Sequence, residues 1–147
     1  MTSLLAILGI FFFIFIFGGI ALYVIFVLAF YRIAVNAGIQ NPWLSFIPII
    51  QLYILAKIIK SLQISGYEIP NLEFVLPGAT IIVLVLGNVP VIGSLLSVAN
   101  YILVLFALNK LYRIYNPNQA VLYTVLSIFA LPVPFIFLSI KDLKAIE

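Results

Sequence analysis

Apolar residues come in four long runs that the charged residues separate, spanning 4–31, 33–56, 74–109 and 114–140. A helix needs about 20 residues to cross the hydrocarbon core of a bilayer. Run 4–31 therefore reads as one crossing with some tilt. Gly18-Gly19 at its middle permits a bend or a close helix contact, and packing is the preferred reading. Run 33–56 is interrupted by Asn36, Gln40, Asn41 and Gln51. Its Asn41-Pro42 pair supplies an N-cap and a first helical residue, and Trp43 supplies an interface anchor. Pro48 then lies inside the helix, where it removes a backbone hydrogen bond and forces a kink or break. Lys57 follows too soon for either half to cross alone.

Run 74–109 is too long for one crossing. Gly87-Asn88-Val89-Pro90 reads as a turn, so 74–86 and 91–109 form a helical hairpin; the alternative is a single bent helix. Run 114–140 repeats the design of the second. Asn116-Pro117 starts a helix over 118–131, Leu131-Pro132-Val133-Pro134 breaks it, and Lys141, Asp142 and Lys144 close it. The polar stretch 61–73, with Ser65-Gly66, Pro70-Asn71, Glu68 and Glu73, reads as a loop along the interface.

Composition turns these runs into a fold class. Of the 147 residues 66% are hydrophobic and 7% charged, against roughly a half and a quarter in soluble domains. The expectation is an all-α integral membrane protein, one transmembrane domain over residues 1–147. Run 4–31 is too long for a signal h-region and no small-x-small cleavage site closes it, so it reads as retained.

The basic residues refine the topology, because positive charge favours the cytoplasmic side. Four or five plain crossings scatter the seven basic residues on both sides. If the two Pro-broken runs dip into the cytoplasmic leaflet and return, all seven fall on one side. The preferred model thus has about three transmembrane helices plus two Pro-broken re-entrant or in-plane hairpins, with the basic residues cytoplasmic. Four or five plain transmembrane helices remain the alternative. Tyr31, Trp43, Tyr112, Tyr115 and Tyr123 then read as an aromatic belt.

Between Arg32 and Lys60 the chain carries Gly38, Ile39, Asn41, Pro42, Trp43 and Leu44, then Ile47-Pro48 and Ile54-Leu55. This Gly-Ile-x-Asn-Pro-Trp-Leu…Ile-Pro segment resembles one in small uncharacterised bacterial multi-pass membrane proteins. The resemblance implies a bacterial cytoplasmic membrane and basic flanks on one side, and it brings no activity. Some such relatives accompany signal-peptidase domains, but Ser61 merely adjoins Lys60 and makes no Ser–Lys dyad.

The chemistry is bounded by what is missing. The chain has no His and no Cys, and no Asp or Glu lies within an apolar run. This argues against ordinary acid–base catalysis, proton relay and thiolate or imidazole metal sites. No cofactor, metal or nucleic-acid partner is expected. The candidate residues are Pro48, Gln51 and Lys57 in the second run, Gly93, Ser97 and Asn100 in the third, and Pro132 and Pro134 in the fourth. Gly93, Ser97 and Asn100 share one helix face and read as packing residues, with a hydrogen bond from Asn100. Pro48 with Gln51, and Pro132 with Pro134, could instead build a transporter-like break. Lys57, with Lys60, is read as snorkelling to the interface or binding lipid phosphate. The best reading is a non-enzymatic accessory or scaffold subunit acting through helix packing. Its partners are the lipid bilayer and another membrane protein or a second copy. The alternative is a component for small-solute or ion transport.

Overall fold

The computed structural model describes residues 1–146, and its regular structure is helical apart from one small hairpin. Helix α1 spans Thr2–Asn36 and is followed by a 3-10 helix, Pro42–Phe46, and by α2, Ile50–Ile59. A small hairpin of β1, Gln63–Ile64, and β2, Tyr67–Glu68, leads to α3, Leu72–Leu86. Next come α4, Ile92–Tyr115, α5, Ala120–Ser127, and α6, Val133–Ile140. Two of these helices, α1 and α4, are long and apolar enough to cross a membrane. At 1.5 Å per residue, the 35 residues of α1 reach about 52 Å and the 24 of α4 about 36 Å.

The chain breaks where Pro and Gly stand, though not always in the expected way. Pro48 separates the 3-10 helix from α2 and does not kink one continuous helix. Asn41 occupies the expected cap position, but its side chain makes no capping bond and its φ is 56°. The Gly87–Pro90 stretch does turn the chain, and α3 and α4 pack as a helical hairpin. The turn finishes in a strained γ-turn, in which the Ile92 N–H donates to the Pro90 carbonyl at 2.7 Å around Val91, with φ 66°. A β-branched residue rarely accepts that conformation.

Three expectations need correction. The helix expected over 118–131 stops at Ser127, because Ala130 turns with φ 60° ahead of the prolines. The expected interruption is present over 128–132, but Pro132 and Pro134 stand at its far edge and begin α6: they are its N-cap and a first-turn residue, where a missing N–H costs no hydrogen bond. The polar stretch 61–73 is not a plain loop, since Ser65-Gly66 closes a two-stranded antiparallel hairpin pairing Gln63 with Glu68.

The core sits at one end of the molecule. Its buried side chains come from the last turns of α1 (Phe30, Ile33), from α2 (Ile54, Ile59), from the start of α3 (Leu72, Leu76), from the end of α4 (Leu111, Tyr112) and from α6 (Phe137, Ile140). At the other end the helices stand uncovered. Every residue from Met1 to Ala21 is exposed except half-buried Gly9. Gly18 and Gly19 accordingly make no close helix contact within the chain, and a β-carbon on either would meet open space.

The two Pro-broken segments hold this core together. Helix α1 packs on the 3-10 helix and on α6, whereas α4 packs on α3, α2 and α5. The Phe137 ring of α6 lies 4.9 Å from Phe26 and 5.5 Å from Phe30 of α1, and 6.4 Å from Tyr112 of α4, measured between centroids. All three contacts are edge-on, the arrangement that the ring quadrupoles favour. Tyr112 and Tyr115 are therefore core residues and not part of an aromatic belt; Trp43 remains exposed.

Phe137→Ala should destabilise the protein by about 3 kcal/mol, read by denaturant unfolding in detergent. Phe13→Ala, which truncates an exposed ring, should leave the midpoint unchanged.

Candidate functional site

Several polar side chains inside the apolar runs bond to one another and to nearby carbonyls. Asn100 of α4 faces Thr80 of α3, with the Asn100 amide donating to the Thr80 hydroxyl at 3.2 Å. Thr80 also reaches the Leu76 carbonyl one turn back, at 3.3 Å. Further along α4, the Asn109 amide donates to the Thr124 hydroxyl of α5 at 2.8 Å. The Tyr112 and Ser127 hydroxyls share a bond of 2.8 Å. The Tyr101 hydroxyl donates to the Ile128 carbonyl just beyond α5. These bonds fasten α4 to its neighbour on each side. A polar group in apolar surroundings costs several kcal/mol unless it is paired, so each pair fixes the register of two helices. No buried side-chain nitrogen or oxygen among the described residues lacks a partner.

The second run closes on itself in the same way. The Gln51 amide donates to the Ser45 carbonyl at 2.9 Å and lies 3.4 Å from the Tyr23 hydroxyl of α1. Buried Ser45 donates to the Pro42 carbonyl at 2.8 Å. Gln51 thus ties α2 back to the 3-10 helix across the break at Pro48.

The sequence candidates do not form one site. Pro48 and Gln51 belong to the break before α2, Gly93, Ser97 and Asn100 to α4, and Pro132 and Pro134 to the start of α6. The shared face on α4 divides into three separate roles. Gly93 is buried against the preceding turn, where a β-carbon would collide with the Gly87 carbonyl and stand 2.8 Å from the Leu86 carbonyl. Ser97 is exposed and donates to the Gly93 carbonyl of its own helix at 2.8 Å. Only Asn100 bonds across to another helix. Pro134, with Gly19 and Phe26 of α1, lines an apolar groove of about 390 Å³. Lys57 is exposed, and its amine sits 5.2 Å from the centre of the Tyr53 ring.

The basic residues gather where α1, α2 and α4 end. A hollow of about 750 Å³ there is lined by Arg32, Lys57, Lys60 and Lys144, together with Asp142 and several main-chain and apolar groups. The tail is tied down around it. The Arg32 Nε donates to an Asp142 oxygen at 3.2 Å, the Asn36 amide donates to the Lys141 carbonyl at 2.8 Å, and the Ile146 N–H donates to the Ile114 carbonyl at 2.8 Å. The hydrogen bond from Lys141, followed by the charges of Lys141 and Arg32, holds the Asp142 carboxyl below its usual range. No group of three or more His, Cys, Asp or Glu that could hold a metal ion exists among the described residues.

Set against known protein families, curated proteins and solved structures, the chain matches none.

Two outcomes test this arrangement. Asn100→Leu should cost about 0.6–1.7 kcal/mol, and Thr80→Val in the same background should add almost nothing, which a double-mutant cycle of unfolding in detergent measures. Gly93→Ala should cost about 2 kcal/mol through overpacking of the turn, whereas Gly18→Ala should be neutral or slightly stabilising.

Proposed function

We propose that the chain is a multi-pass integral membrane protein without catalytic activity, which works by helix packing as an accessory or scaffold subunit. The observation that carries this reading is that polar side chains along α4 are spent on its neighbours: Asn100 on Thr80, Asn109 on Thr124 and Tyr112 on Ser127. Gln51 and Asn100, the two residues best suited to a solute pathway, are both engaged in holding helix pairs. A transport reading needs such groups free to face a ligand, and for that reason it is the weaker of the two.

The proposed topology has three crossings, α1, α3 and α4, with the segments Pro42–Ile59 and 117–140 re-entering or lying in plane. Three features support it. The exposed first two-thirds of α1 and the outer part of the α3–α4 hairpin are apolar, as a lipid-facing surface is. A soluble protein rarely leaves an apolar patch of more than a few hundred Å² uncovered. The 3-10 helix and α6, which adjoin the interruptions, pack back against α1, as segments that return to the side they left would. The basic side chains gather at one end, consistent with a single cytoplasmic face. At 15 residues α3 reaches about 22 Å, short of the roughly 30 Å core, a mismatch that local thinning of the bilayer accommodates while the uncharged Gly87–Pro90 turn stays at the outer surface. The proposed location is a bacterial cytoplasmic membrane, as the expected resemblance of the Gly38–Leu44 stretch implies. The uncovered face of α1 is offered to lipid and to a partner helix, from another membrane protein or a second copy.

Purification in mild detergent tests the role. The expected result is a defined complex that crosslinks through a single Cys in the exposed part of α1, together with no solute or ion flux in liposomes. A monomer without partners that conducts a solute, and loses that flux in Gln51→Leu or Asn100→Leu, would overturn it.

A further inference from the structure

The hollow at the basic end is lined by four cationic residues. Arg32 reaches it from α1, Lys57 and Lys60 from the end of α2, and Lys144 from the tail. Segments far apart in sequence thus bring four cations to one concavity. Among the described residues Asp142 is the one carboxylate lining it, and it is already held by Arg32 and Lys141. Like charges gathered in this way repel each other unless an anion lies between them.

Two ordinary roles for basic residues leave the arrangement unexplained. Cations near a helix C-terminus complement its partial negative charge, but the amines of Lys57, Lys60 and Lys144 make no hydrogen bond to a main-chain carbonyl among the described residues. Snorkelling brings amines to water one by one and does not account for residues from three separate segments lining a common hollow with Arg32. The volume, about 750 Å³, falls in the range of small-ligand pockets.

We propose that this hollow binds a phosphate-bearing anion through the amines of Lys57, Lys60 and Lys144, with Arg32 at its edge. Lysine suits phosphate as a compact point charge, and basic clusters beside a bilayer recruit anionic headgroups. A lipid headgroup and a soluble phosphate ester present the same chemistry. The hollow is a property of the folded chain, so binding does not depend on which helices cross the membrane.

The test uses the full chain in mild detergent, with short-chain phosphatidic acid, inorganic phosphate and phosphatidylcholine of equal chain length as probes. Affinity is read from the shift in thermal midpoint and by native mass spectrometry. Phosphatidic acid or inorganic phosphate should bind, and phosphatidylcholine should not. A response to phosphatidic acid alone assigns a lipid headgroup; competition by millimolar inorganic phosphate assigns a free phosphate group. K57Q/K60Q/K144Q should weaken binding at least tenfold. Arg113→Gln, which removes an exposed cation outside the hollow, should change it less than twofold. Asp142→Asn should tighten it several-fold, because it frees Arg32. Should the triple variant fail to fold, the single Gln variants and K57R/K60R/K144R carry the same test, with Arg retaining binding. The proposal is overturned if neither anion binds, or if Arg113→Gln weakens binding as much as the substitutions in the hollow.

Discussion

Phe137 stands between helices that have little else to join them. Phe26 and Phe30 of α1 meet one side of its ring, and Tyr112 of α4 meets another. The longest helix of the chain packs on the 3-10 helix and on α6, two short elements that exist because Pro48 and Pro132 stop the chain from forming longer ones. The prolines therefore set the tertiary structure. They cut two apolar runs into pieces short enough to wedge between α1 and the α3–α4 hairpin. Where the wedges are present the side chains are buried; beyond them, from Met1 to Ala21 and around the Gly87–Pro90 turn, the helices stand apart with apolar surfaces uncovered.

Hydrogen bonds supply the register that apolar packing does not. In apolar surroundings one greasy face resembles another, and helices slide past each other at small cost. Asn100 with Thr80, Asn109 with Thr124 and Tyr112 with Ser127 remove that freedom, because shifting any one pair strands polar atoms without partners. Spent in this way, those groups are withdrawn from a solute pathway, which is why helix packing is the mode of action we propose.

The breaks were legible in the sequence because Pro, Gly and Asn act locally. Asn41-Pro42, Gly87–Pro90 and Asn116-Pro117 all mark helix boundaries where they were expected. Which face of each helix is buried was not legible. With 66% of residues apolar, no periodicity separates core from lipid-facing surface, so Phe137 looked no different from Phe135, and Tyr112 was mistaken for an interfacial residue. The partner of Asn100 could have been found. Thr80 and Asn100 lie equally far on either side of Pro90, as opposed residues of a helical hairpin must. The basic hollow was only half visible: charge asymmetry placed the cations on one side, but only the folded tail brings Lys144 to Lys57 and Lys60.

The account stands or falls on whether the Pro-broken segments return to the side they left. The chain has no Cys, so single cysteines report position without interference. Lys60→Cys, at the exposed end of α2, and Asn88→Cys, in the exposed turn between α3 and α4, should be treated with a membrane-impermeant maleimide on intact cells. The account predicts labelling at 88 and none at 60 until the cells are opened. Strong labelling at 60 from outside would mean that the segment after Pro42 crosses the membrane, and the arrangement of three crossings with two hairpins would be contradicted.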